Sequence, residues 1–194
     1  MSINYNDLLE RAKWGSLSDA EIDHVANEIQ KPMFEANAYT LLHILGKSQA
    51  TRYRHLVEQY LENDSDPMLA KLALQILCTT WGESSHYLEQ ITRFVQGVAW
   101  DEDDDCQLAA VSIAGEYLRT KHDPVLLYLL LELFEREMED HLLREAAYGA
   151  LARAMGREYS EIPSAAKEFD LKADIDTSII ERAKSRLSQE RQAA

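Results

Sequence analysis

Proline and glycine are scarce, at four and seven of 194 residues, which argues against turn-rich sandwiches and barrels and makes an all-helical chain the expected class. Cysteine is scarcer still. Cys78 and Cys106 each sit inside an apolar helical pattern with no second Cys nearby, the usage of reduced, buried thiols in a cytosolic protein rather than of a disulfide framework. Long apolar runs are missing: the longest, Val125 to Leu131, falls far short of the roughly 20 residues that cross a bilayer and reads as a core helix. The first residues, Met1 to Asp7, hold neither a basic n-region nor an apolar h-region, so a cytoplasmic location is expected. Positive charge is also short, with 20 Lys+Arg against 34 Asp+Glu and a formal net charge of −14. Phosphate backbones and anionic lipid surfaces are bound through Lys and Arg, so neither nucleic acid nor membrane is an expected partner, whereas a basic protein is matched in charge.

Signatures of catalysis are lacking as well. The six His are scattered without H-E-x-x-H or H-x-x-x-H spacing, and read as cap or surface residues. No G-x-x-x-x-G-K-S/T or G-x-G-x-x-G loop is present to cradle phosphates. Nucleophile and base pairs distant in sequence stay open, but the expectation is a non-enzyme with no catalytic residue, no metal and no cofactor.

With 46% apolar residues and a length within the usual size of one domain, the chain can bury a sizeable core. Its organisation shows as a repeat. Asp66, Asp103 and Asp140 are spaced by 37 residues, and Ala73, Ala110 and Ala147 follow each of them by seven. Leu74, Val111 and Tyr148 lie one step on, Ile76, Ile113 and Ala150 three, and Leu77, Ala114 and Leu151 four, which is one face of a helix. Gly46, Gly82 and Gly156 are expected to close such helices, while the third segment carries Arg119 at that place. The aspartates are expected N-caps, and Asp66-Pro67 and Asp123-Pro124 add Pro at the first helical position. Partner helices are expected over about Gln49–Asn63, Ser85–Val98 and Pro124–Glu139, giving stacked helical hairpins. Ser18-Asp19-Ala20-Glu21 is a capping box that opens a helix to about Gln30, and Pro32 separates it from a helix ending at Gly46. A short helix near Asp7–Trp14 and a final one from Asp176 through Ile179, Ile180, Ala183 and Leu187 would cap the two ends.

The segment Leu142-Leu143-Arg144-Glu145-Ala146-Ala147-Tyr148-Gly149-Ala150-Leu151-Ala152-Arg153-Ala154-Met155-Gly156, preceded by Asp140, resembles the second helix of a HEAT repeat: an Asp, an apolar-Arg pair, paired Ala, then Ala-Leu before a closing Gly. Arg144 is replaced by Ala70 and Gln107 in the two preceding repeats, and the resemblance extends more weakly over residues 35–156. It implies an all-α, right-handed α-solenoid of about four HEAT-like helical hairpins, in a single domain of residues 1–194. Residues 1–17 would be an N-terminal cap, 18–156 the repeats, and 157–194 an irregular segment followed by a C-terminal capping helix. The resemblance implies binding rather than any one reaction. Some HEAT-like proteins, among them alkylbase DNA glycosylases, bind nucleic acid, but that use needs a basic face and residues 1–156 hold 13 Lys+Arg against 26 Asp+Glu.

Two groups of residues are candidate partner contacts. The first is Trp100, Asp101, Glu102, Asp103, Asp104 and Asp105, an aromatic followed by five consecutive carboxylates. A solvated turn favoured by a helix N-terminus is one reading; a surface facing a cationic partner is the other, since five adjacent like charges exceed what one cap requires. The run lacks the Gly and spacing of an EF-hand loop. The second is a row on the second-type helices, Lys71, Gln75, Thr79, Glu116, Glu145 and Arg153, with Tyr117 at its rim, which is either the contact surface of an open inner face or a merely solvated one. In size and charge the chain is similar to immunity proteins of contact-dependent growth inhibition systems. That similarity implies an inhibitor of a basic toxin domain such as a nuclease. A HEAT-like enzyme or chromophore lyase with a small-molecule pocket, and a structural adaptor, are the alternatives.

Overall fold

A computed structural model describes residues 4–31, 35–136, 141–162 and 174–193. Every regular element among them is helical and none is a strand. By internal contacts the chain forms two compact units, Met1–His86 and Tyr87–Ala194. No helix among the described residues is long and apolar enough to cross a membrane.

In the first unit, α1 (Tyr5–Lys13) is capped by Asn4, whose side chain accepts from the amides of Asn6 and Asp7, and it buries Leu8 and Ala12. Helix α2 (Asp19–Ile29) begins with the expected capping box between Ser18 and Glu21 and buries Ile22, Val25, Ala26 and Ile29. Arg11 of α1 grips the same Glu21 through two hydrogen bonds of 2.7 and 2.9 Å. Both α1 and α2 pack on α3 (Glu35–Lys47).

Gly46 does not close α3, contrary to the repeat spacing; the helix runs through it to Lys47, and the chain reverses at Gln49, with φ of 54°. Gly46 serves close packing instead: a Cβ there would lie 2.9 Å from Cγ1 of Ile76. The expected helix over Gln49–Asn63 is reduced to a 3-10 turn (Thr51–Tyr53) and the five-residue α4 (Arg54–Glu58). Helix α5 (Pro67–Gln75) opens as expected, with Asp66 accepting from the amides of Met68 and Leu69 at 3.0 and 3.3 Å. It then widens into a π turn over Ile76–Thr80, in which the Trp81 amide reaches back five residues to the Ile76 carbonyl at 2.8 Å. A 3-10 turn (Ser84–His86) follows.

In the second unit, the expected Ser85–Val98 helix is confined to α6 (Leu88–Val95), with Ile91, Phe94 and Val95 buried. Then come α7 (Asp105–Thr120), α8 (Pro124–Glu135), α9 (His141–Ala154) and α10 (Thr177–Ala193). Asp123 caps α8 as expected, accepting from the amides of Val125 and Leu126 at 3.0 Å each. This is the core helix anticipated from its apolar run, burying Leu126, Leu127, Leu129, Leu130, Leu131, Leu133 and Phe134. The cap assigned to Asp140 lies outside the described residues, as does the stretch 163–173. Helix α7 packs most extensively on α9, and there Gly115 is the point of closest approach: a Cβ would stand 2.6 Å from the Cα of Ala150. Gly156, with φ of 88°, closes α9 as expected. Asp176 accepts from the Ser178 amide at the start of α10, whose buried Ile179, Ile180, Ala183 and Leu187 are the stripe read from the sequence. Arg186 of α10 donates to the carbonyls of Leu118, Lys121 and Ala154, and Arg182 to that of Met155, which satisfies acceptors left free where α7 and α9 end.

Candidate functional site

The acidic run divides into a structural part and a displayed part. Asp101 is 5% exposed, and its Oδ2 accepts from the amide of Gln107, the third residue of α7, at 3.0 Å. The 37-residue spacing had assigned that capping to Asp103. The difference arises because Asp104 adopts a left-handed conformation, φ of 56°, which starts α7 at Asp105 and brings Asp101 under its first turn. Gln107 is itself buried and donates from Nε2 to the Val95 carbonyl at 2.8 Å, so the loop is tied to the end of α6. Trp100 is half-buried, its ring edge-on to Phe94 with centroids 5.8 Å apart. Glu102 and Asp103 stand exposed, and Asp104 and Asp105 are half-buried. Of the five carboxylates, two are exposed.

The expected polar row also divides. On α7, Glu116 is exposed and Tyr117 is half-buried; on α9, Glu145 is half-buried. Arg153 does not lie open. It is 4% exposed, donating from Nε and Nη2 to Glu116 at 3.0 and 2.5 Å and from Nη1 to the Arg157 carbonyl, with its guanidinium 4.2 Å from the centroid of the Tyr159 ring. Glu116 and Arg153 are 37 residues apart, the spacing of the sequence pattern. Arg119 and Arg157 extend the network to Glu158 and Asp176.

The remaining three residues of the row, Lys71, Gln75 and Thr79, belong to the first unit; Lys71 is half-buried and the other two are exposed. Here the π turn changes the register. It holds one more residue per turn than an α-helix, and Thr80 rather than Thr79 joins Gln75 in lining a cavity of about 110 Å³. His43 and Lys47 of α3 complete its polar wall. Scattered spacing marks His43 as a cap or surface residue and does not single out Lys47; the signal for both is their i, i+4 spacing on a helix facing the Gln75 helix. Trp81, half-buried, donates from its indole to the Gly46 carbonyl at 3.2 Å, a packing role.

A second cavity, of about 200 Å³, lies between α6 and α8 and is lined by Val95, Gln96, Leu129, Glu132, Leu133 and Arg136. Among the described residues no group of three or more His, Cys, Asp or Glu is placed to hold a metal ion. Cys78 and Cys106 are buried thiols, neither in a disulfide, and burial pushes the Cys78 thiol up to about 12.

No protein-family model matches the chain, and neither a curated protein nor a solved structure matches it.

Proposed function

We propose that this chain is a non-catalytic protein-binding module, a HEAT-like α-solenoid of about four hairpins, and that it acts in the cytoplasm as an immunity-type inhibitor of a basic toxin domain such as a nuclease. The observation that carries this reading is the disposition of charge in the second unit. Arg119, Arg136, Arg153, Arg157, Lys184 and Arg186 are each paired with a carboxylate of the chain itself. Glu102 and Asp103 stand exposed beside the half-buried Trp100. Six cations held by the chain's own carboxylates, with acids displayed next to an aromatic side chain, favour a basic partner and offer it an apolar anchor. The 37-residue link between Glu116 and Arg153, and the close crossing of α7 on α9, support the repeat reading.

The test is capture with the tagged full chain from its source cells at low salt, followed by expression of the captured protein alone and together with this chain. The expected result is one stoichiometric basic protein, toxic alone and harmless in the pair. A captured partner that is acidic, or whose toxicity the chain leaves unchanged, overturns the proposal.

A further inference from the structure

The cavity of the first unit has a chemistry of its own. Its floor is apolar, made by Leu72 and Ile76, which are 4% and 3% exposed. Each polar group of its wall can donate: the imidazole of His43 and the ammonium of Lys47 from one face of α3, the Gln75 amide from α5, and the Thr80 hydroxyl from the π turn. No carboxylate lines it, in a chain whose formal net charge is −14. Lys47 is exposed at the rim and His43 is half-buried inside it. Burial holds His43 below its ordinary range, and the charges of Lys47 and of Lys13, on α1, hold it there further. Lys47 is thus the cation at the mouth of a cavity that no carboxylate lines.

Two details of the backbone create this space. Gly46 allows Ile76 to press against α3, since a Cβ would meet its Cγ1 at 2.9 Å. The π turn then brings Thr80 into the wall and is anchored by the Trp81 indole on the Gly46 carbonyl. The cavity, of about 110 Å³, is roomy enough for a carboxylate on a short stem.

We propose that the cavity between α3 and the α5–π segment is a binding site for a carboxylate on a short aliphatic stem, with Lys47, His43, Gln75 and Thr80 facing the carboxylate and Leu72 and Ile76 the stem. The carboxylate is supplied either by a free small acid or by an acidic side chain of a docked peptide. The apolar floor sets this ligand apart from phosphate, which has nothing to place there. The site is independent of the acidic run and of the proposal made for it.

The experiment is an NMR titration of the uniformly ¹⁵N-labelled full chain with sodium acetate, with acetyl-Gly-Glu-Gly-amide and with sodium phosphate, each against sodium chloride at equal ionic strength. Expected are saturable shifts at His43, Gln75 and Thr80 with acetate or the peptide, a rise in the pH at which His43 titrates when the site is filled, and binding at least tenfold weaker in Lys47→Met. Tighter binding of the peptide than of acetate assigns the source to a protein side chain; equal or tighter binding of acetate assigns it to a free acid. Thr80→Val is the second variant and is expected to weaken binding without moving the other helices' signals. Shifts that do not saturate, that chloride reproduces, that Lys47→Met leaves unchanged, or that phosphate produces more strongly than either carboxylate would overturn the proposal.

Discussion

Replacing Gly115 by Ala tests the helix crossing on which the second unit is built. A methyl group at Gly115 would stand 2.6 Å from Cα and 2.7 Å from the carbonyl oxygen of Ala150, against 3.4–4 Å for ordinary contact. Both obstacles are backbone, so no rotamer change clears them, and α7 and α9 must separate by roughly 1 Å. A gap of that size forfeits about a quarter to a half of the dispersion energy of every pair across it. Overpacking of this kind costs about 1–3 kcal/mol, and a rigid obstacle belongs at the upper end. Replacing Gly by Ala within a helix returns about 1 kcal/mol, so the net loss is about 2 kcal/mol. Gly149, in the same pair of helices, supplies the contrast. Its Cβ would meet only Cγ2 of Ile162 at 3.7 Å, so Gly149→Ala is expected to gain up to about 1 kcal/mol. Urea unfolding followed by far-UV circular dichroism should place the two midpoints on opposite sides of wild type. A Gly115→Ala protein as stable as wild type would refute the packing argument.

Asp101→Ala removes the acceptor of the Gln107 amide and should cost about 0.5–2 kcal/mol by the same assay; Asp103→Ala, at an exposed position, should cost almost nothing, and the reverse order would restore Asp103 as the cap. The Glu21 carboxyl is held down at about 2 by the Arg11 guanidinium and then by the Ser18 amide and hydroxyl. Its contribution to stability is thus complete above its ordinary value of 4.5 and is lost as the pH falls toward 2. Carbon-detected NMR should find its midpoint near 2 and, in Arg11→Ala, closer to 4.5; an unchanged midpoint contradicts the assignment. The Cys78 thiol, pushed up to about 12 by burial, should resist iodoacetamide at pH 8 in the folded protein and react once unfolded in urea. Rapid labelling of the native chain would show that this region opens readily.

Much of the local structure is legible because short-range chemistry decides it. Asp66-Pro67, Asp123-Pro124 and the Ser18–Glu21 box mark helix starts by hydrogen bonds spanning three residues, and all three stand where the sequence placed them. The apolar stripes of α8 and α10 are likewise as read. What escaped depends on tertiary contact. Gly46 reads as a helix stop from the sequence alone, yet it is a contact point for Ile76, thirty residues on. The π turn changes the register by one residue and substitutes Thr80 for Thr79 in the cavity wall, which no 3.6-residue periodicity anticipates. The candidate site was legible as composition and not as exposure. The run of five acids was plain, but that Asp101 is buried beneath α7, and Arg153 beneath Glu116 and Tyr159, follows from a left-handed residue and from a partner 37 positions away.

The central claim is that exposed acid in the second unit attracts a basic protein, and association kinetics with the captured partner test it most directly. On-rates should be measured from low to high salt for wild type, for the double variant Glu102→Lys with Asp103→Lys, and for Lys121→Gln as a charge-change control. The wild-type rate is expected to fall steeply as salt screens the charges, and the double variant to associate at least tenfold more slowly at low salt with a flattened salt dependence. Equal on-rates for wild type and the double variant at low salt would contradict it.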